Sequence, residues 1–141
     1  MKKLLLMVSA LCLLVLVACS GTETTVCEIE DAFYDTVTIN SEDGIVTSLV
    51  MVGVEEAPDW FFDDLDENLE DDQGWLEDYY FGVFGESAVT VEVEANEDDE
   101  TLKTTVTVDF SELSQDLLEG FGAEPGADYV TLEAIEAHFD C

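Results

Sequence analysis

The chain is nearly devoid of positive charge: its 141 residues hold three lysines, no arginine and one histidine against 35 Asp and Glu. Lys2 and Lys3 stand at the start, so from residue 19 onward Lys103 faces the 35 acids alone and the formal charge is −34 (one minus 35). This scarcity excludes nucleic acid as a partner, because binding phosphates requires a basic footprint. It also opposes attraction to anionic lipid head groups. One histidine, His138, is too few for a zinc cluster or a hydrolytic triad, which assemble several ligands or bases together. The four cysteines contain no CxxC pair, and Gly74, Gly82 and Gly85 do not have the spacing of a phosphate-binding loop. No repeat or low-complexity linker divides the chain, and about 115 residues suffice for one core and are too few for two.

What is present begins with an export signal. Lys2 and Lys3 precede an apolar span over residues 4–17, and Leu16-Val17-Ala18-Cys19 resembles a lipobox, the processing motif whose cysteine receives a diacylglycerol. The expected organisation is a signal peptide over 1–18, a lipidated tether over 19–24 and a folded domain over 25–141. A cleaved signal without an anchor is the alternative. A retained transmembrane helix is disfavoured, since the apolar run is short and lacks a basic stop-transfer flank. Acyl chains bury about 0.8 kcal/mol per CH2, so Cys19 would hold the domain on the extracytoplasmic side of a bacterial membrane.

With Cys12 in the signal and Cys19 lipidated, Cys27 and Cys141 are the thiols left in the exported domain. Outside the cytosol such a pair usually oxidises, which predicts a Cys27–Cys141 disulfide; two free thiols or a metal-ligand pair are the alternatives.

The coarse pattern is α+β. Val26–Glu30, Ala32–Asn40 and Ile45–Glu55 read as strands, with Phe33, Val37 and Ile39 on one side, interrupted by Asp35, and a turn at Ser41-Glu-Asp-Gly44. Pro58 starts a helix whose Phe61, Phe62, Leu65 and Leu69 form an apolar stripe. Gln73-Gly74 is expected to break or bend it before the aromatic segment Trp75–Phe84, which either joins the core or lines a groove. Ala88–Ala95 and Thr101–Phe110 alternate as a hairpin, with Val89, Val91 and Val93 facing Leu102, Val106, Val108 and Phe110. Ser111 is expected to cap a short helix ending at Gly120 and Gly122, and Thr131 a final one with Leu132, Ile135 and Phe139 inward. The sum is a single domain with an antiparallel sheet of about five strands and helices packed on one face.

The lipobox, Cys27, the turn through Ser41-Glu-Asp-Gly-Ile-Val-Thr, the Ala88-Val-Thr-Val-Glu-Val to Thr105-Val-Thr-Val-Asp-Phe hairpin and the ending Val130-Thr-Leu-Glu-Ala-Ile-Glu-Ala-His-Phe-Asp-Cys141 occur in one order. In that order the chain resembles the YehR-like family of small bacterial lipoproteins, a domain family of unknown function. The resemblance implies a lipid-anchored α+β domain and brings no activity. Members of the family are typically lysine-rich, where this chain is acidic.

For chemistry, the densest acidic cluster is Asp63, Asp66, Glu70, Asp71 and Asp72 with their neighbours, a candidate weak calcium site because carboxylates are hard oxygen ligands. It does not fit an EF-hand loop. Glu97-Asp-Asp-Glu100 is a second acidic run. Trp60, Trp75, Tyr79 and Tyr80 are candidate binding aromatics. No resident cofactor is expected beyond such a weakly bound calcium. The composition points to a lipid-anchored, non-enzymatic domain that binds a divalent cation or a basic protein or peptide, with membrane contact through the acyl chains on Cys19. The runner-up is an extracytoplasmic hydrolase using a carboxylate pair, which needs two acids in different environments, about 5 or about 6.5–9.5 Å apart for glycosides. A desolvated carboxyl in a cleft beside Trp60, Trp75 or Tyr79 would favour catalysis, and an exposed aromatic patch with an acidic rim would favour binding. The acids can also serve solubility alone, as in a saline habitat.

Overall fold

The computed structural model describes residues 21–30 and 33–141. The signal peptide expected over 1–18 and the expected lipidation site Cys19 lie outside the described residues. Five strands form one antiparallel sheet in the order β1-β2-β3-β5-β4: β1 Thr22–Glu28, β2 Thr36–Glu42, β3 Ile45–Glu56, β4 Val89–Asn96 and β5 Thr101–Asp109. The helices are α1 Asp59–Asp63, α2 Leu65–Phe84, α3 Gln115–Gly120 and α4 Leu132–His138, with a 3-10 turn at Phe110–Glu112. β1 starts inside the span read as tether, because Thr22, Glu23 and Thr24 pair with Glu42, Ser41 and Asn40.

Strand alternation creates one apolar face in which registered residues form rows. Cys27, Val37, Met51, Val106 and Val91 make one row across all five strands, and Thr25, Ile39, Leu49, Val108 and Val89 make the next. Val37, Ile39, Leu49, Val106 and Val108 are completely buried. The helices pack against this side, and burial of its large aliphatic residues, each contributing about 1.5–3 kcal/mol, holds them there. Among the described residues no helix is long and apolar enough to cross a membrane.

Several local expectations change on contact with tertiary structure. The β2–β3 turn forms as expected, with Asp43 at φ 52° and Gly44 at φ 78°, the twisted hairpin geometry that Asp-Gly tolerates. Phe33, however, is not inward: β2 begins only at Thr36, and Phe33 is 79% exposed. Asp35, just outside the strand, accepts a hydrogen bond from the Val54 backbone N–H through its side chain at 2.9 Å, while its own N–H bonds the Val52 carbonyl at 2.9 Å.

The helix does not break at Gln73-Gly74. It runs through Gly74 because one glycine costs only about 1 kcal/mol in a helix, while Leu69 on one side and Leu76 on the other both pack against the sheet side of the molecule. Gln73 also reaches Glu77 one turn on, with Nε2 donating to Oε1 at 3.0 Å. The break falls instead at Asp64, between α1 and α2, where the Asn68 side-chain amide donates to the Phe61 carbonyl at 3.0 Å.

Ser111 does not cap a helix. Its N–H and hydroxyl both donate to the Asp109 carboxylate, at 2.9 and 2.7 Å, and Ser114 stands at the start of α3. Thr131 does cap α4, its Oγ1 accepting from Ala134 N–H at 3.2 Å. The segment before α4 is pinned to the start of β3 by Val46 N–H to the Val130 carbonyl and Leu132 N–H to the Gly44 carbonyl, each 2.9 Å. Ile135 then enters the core fully buried, and the Cys27–Cys141 disulfide joins β1 to Cys141, three residues past the end of this helix, with Cα atoms 5.5 Å apart.

Candidate functional site

The rows of the covered face are not equally filled. Beyond the row containing Met51 the register pairs Gly53 with Thr104, so a β-strand position opposite α2 has no side chain and its neighbour has a short one. Beyond that again, Leu102 and Ala95, backed by Val93, pack against Phe61, Phe62, Leu65 and Leu69 in a second small apolar cluster. The hollow between the two clusters is a cavity of about 390 Å³.

Gly53 is required for a second reason. A Cβ at this position would collide with the Phe33 carbonyl oxygen and lie 3.4 Å from the Tyr34 Cα. The backbone of the β1–β2 connection therefore crosses directly over Gly53, and that crossing carries Phe33 and Tyr34 to the mouth of the hollow.

The opposite wall comes from one face of α2. Asp72, Trp75, Leu76, Tyr79 and Tyr80 occupy positions i, i+3, i+4, i+7 and i+8, and all five line the cavity with Gly53, Glu55 and Thr104. Leu76 and Tyr80 pack onto the main core, as do Phe81 and Phe84 farther along. Trp75 and Tyr79 remain open, 65% and 55% exposed, with their rings nearly parallel at 14° and centroids 6.0 Å apart. Tyr79 meets Tyr80 edge-on at 85°, and Tyr80 stacks on Phe84 at 3°. The Tyr34 and Tyr80 hydroxyls hydrogen-bond to each other, tying the β1–β2 connection to the helix.

Two carboxylates line this aromatic groove. Partial burial pushes the Asp72 carboxyl above the ordinary aspartate value, because removal from water disfavours its charged form. Glu55, on β3, is exposed at the rim. Among the described residues no lysine, arginine or histidine lines the cavity; Lys103 lies in a separate shallow depression with Val54, Leu65 and the Glu97–Asp99 turn. The groove can thus accept a flat or apolar cation and offers no counter-charge to an anion.

The structure separates the other candidates. Asp72 joins Trp75, Tyr79 and Tyr80, whereas Glu70 and Asp71 line a different depression with Leu69, Gln73 and Glu77, and Asp63 and Asp66 a third with Phe62 and Glu97. Among the described residues no group of three or more His, Cys, Asp or Glu is placed to hold a metal ion, and the acids of the cluster are spread over three depressions. Helical geometry is the reason: acids at successive positions radiate around the axis. Trp60 is 64% exposed and lies on α1, outside the groove. The Glu97–Glu100 turn is organised by Asn96, whose Oδ1 accepts from the Asp98 and Asp99 N–H groups at 3.1 and 3.3 Å. His138 is exposed and sits edge-on to the Phe121 and Phe139 rings at 5.5 and 5.0 Å. Phe33, Tyr34, Gly53, Glu55 and Thr104 are the site residues that sequence reasoning missed. Their signal was weak: a glycine inside a strand marks a close backbone approach.

No protein-family model matches this chain, and no curated protein does. An NMR structure of a protein from Streptococcus pneumoniae TIGR4 is similar at 23% identity, over 72% of this chain and 69% of that one, with a TM-score of 0.43. A likeness at that level carries no argument about function. None of these comparisons bears on the resemblance to the YehR-like lipoproteins.

Proposed function

We propose that this chain is a lipid-anchored, non-enzymatic domain on the extracytoplasmic side of a bacterial membrane, and that it binds a cationic protein or peptide in the groove between α2 and the sheet. The anchor rests on the Leu16-Val17-Ala18-Cys19 sequence. The observation that carries the binding reading is the shared lining of one cavity by Asp72, Trp75, Tyr79, Tyr80 and Glu55, with no basic residue beside them among the described residues. Aromatic faces attract cations through their quadrupoles by about 0.5–2 kcal/mol, more when desolvated, and carboxylates add direct attraction. A formal charge of −34 beyond residue 18 (Lys103 against 35 acids) gathers cations from a distance, and the groove supplies the local contact.

The test is calorimetric titration of the full protein, purified in detergent, with tetra-lysine, tetra-glycine and tetra-glutamate at low and high sodium chloride. Saturable binding of tetra-lysine alone that is lost in a Trp75→Ala/Tyr79→Ala variant supports the reading. Binding that disappears with salt and ignores the groove substitutions refutes it in favour of a diffuse field.

Asp72 also favours the hydrolase reading, since a carboxyl raised by burial can act as an acid opposite an exposed Glu55. Turnover of a glycoside panel abolished by both Asp72→Asn and Glu55→Gln would establish that alternative over simple binding.

A further inference from the structure

We infer that the group seated in this groove is the guanidinium of a peptide-borne arginine, in preference to the ammonium of a lysine. The inference rests on the cation-binding reading and deepens it. Its ground is the shape of the aromatic surface.

Trp75 and Tyr79 are one helical turn apart, with ring planes nearly parallel at 14°, centroids 6.0 Å apart and both side chains open to solvent. Their exposed rings offer an open aromatic platform rather than a closed cage. A planar, weakly hydrated guanidinium can lie flat on such a platform, combining stacking with cation–π attraction, whereas an ammonium is compact and strongly hydrated and gains less from a flat surface. Asp72 precedes Trp75 by three residues on the same helical face and lines the same cavity, and a carboxylate there can accept two parallel N–H donors. Glu55 and Thr104 line the cavity from the sheet, and a carboxylate and a hydroxyl there can accept remaining donors. An arginine presents five such donors in a fixed fork, and the groove arranges its acceptors on two sides. The size agrees: about 390 Å³ lies near the lower end for ligand pockets and suits one long side chain entering from an extended peptide. Among the described residues no lysine, arginine or histidine along the lining is placed to pair with a ligand anion, which disfavours zwitterionic small molecules.

Trp60 supplies an internal control. It is equally exposed, at 64%, and flanked by Asp59, Asp63 and Asp64, yet it lies outside the groove. A generic preference of arginine for acidic, aromatic surfaces would respond to either tryptophan.

The experiment measures tetra-arginine and tetra-lysine affinities, matched in charge and salt, for the full protein and its Trp75→Ala, Trp60→Ala and Asp72→Asn variants. Trp75 is exposed, so its replacement leaves the fold intact, as far-UV circular dichroism will verify. The expected result is that tetra-arginine binds roughly five- to tenfold tighter than tetra-lysine. Trp75→Ala and Asp72→Asn should each cut that ratio to about twofold or less, and Trp60→Ala should leave it unchanged. An equal loss of both peptides in Trp75→Ala overturns the guanidinium assignment while the cation-binding groove stands. A ratio that survives Trp75→Ala also overturns it. Affinities of both peptides that ignore every groove substitution bring down the binding reading itself.

Discussion

The Tyr34 hydroxyl bonds the Tyr80 hydroxyl across the end of the groove, joining the connection before β2 to the second half of α2. This bond ties together two lining residues of the cavity that stand 46 apart in sequence. A double-mutant cycle of Tyr34→Phe and Tyr80→Phe, read by urea denaturation, should return a coupling of about 0.5–1.5 kcal/mol, the usual net worth of such a bond. A coupling near zero would mean that the hydroxyls stabilise the fold independently.

Gly53 and Gly74 make opposite predictions. A methyl at Gly53 runs into the Phe33 backbone, so Gly53→Ala should destabilise by about 1–3 kcal/mol and weaken binding in the groove. At Gly74 an added Cβ meets nothing within 4 Å inside a helix, and Gly74→Ala should stabilise by about 0.5–1 kcal/mol. Denaturation midpoints of the two variants check both signs.

The disulfide fastens β1, an edge strand, to the residue beyond α4 across a sequence separation of 114. Reduction, or the double replacement Cys27→Ala/Cys141→Ala, should cost about 2–5 kcal/mol. Hydrogen exchange is the sharper readout: amides of β1 and α4 should lose protection before those of β3 and β5, which lie in the middle of the sheet.

Asp72 gives a pH dependence with a definite sign. Its folded carboxyl keeps a proton to higher pH than the unfolded one, so its contribution to stability falls as pH rises through the interval between the ordinary aspartate value and the raised one. Asp72→Asn should therefore raise Tm relative to the parent at neutral pH, and the difference should vanish near about pH 3, where both forms are neutral. Binding of a cation runs the other way: it should weaken on acidification in the parent more steeply than in Asp72→Asn. Glu55 and the Tyr34, Tyr79 and Tyr80 hydroxyls also line the groove, so the comparison with Asp72→Asn isolates the one carboxyl.

Much of the fold is legible in the sequence because strand alternation is a local signal. Val89, Val91, Val106 and Val108 reveal their face by parity alone, and Thr131 reveals a cap by its position before an apolar helical repeat. The groove is not legible for two physical reasons. Its hollow depends on Gly53 lying beside Thr104, a pairing fixed by long-range register, and on a backbone crossing that no local pattern encodes. Its other wall is a helical repeat from Asp72 to Tyr80, and a break read at Gly74 cuts that repeat in two. The weight given to one glycine thus hides the surface, since packing on both sides of Gly74 outweighs its local cost.

The most direct measurement is a 1H–15N NMR map of the uniformly labelled protein titrated with tetra-arginine at physiological ionic strength. A built cation site gives saturable shifts concentrated at Gly53, Glu55, Asp72, Tyr79, Thr104 and the Trp75 indole, with the Trp60 indole unmoved. Shifts spread over the acidic exterior, at Asp98, Asp99 and Glu133 as much as at the groove, would contradict a built cation site.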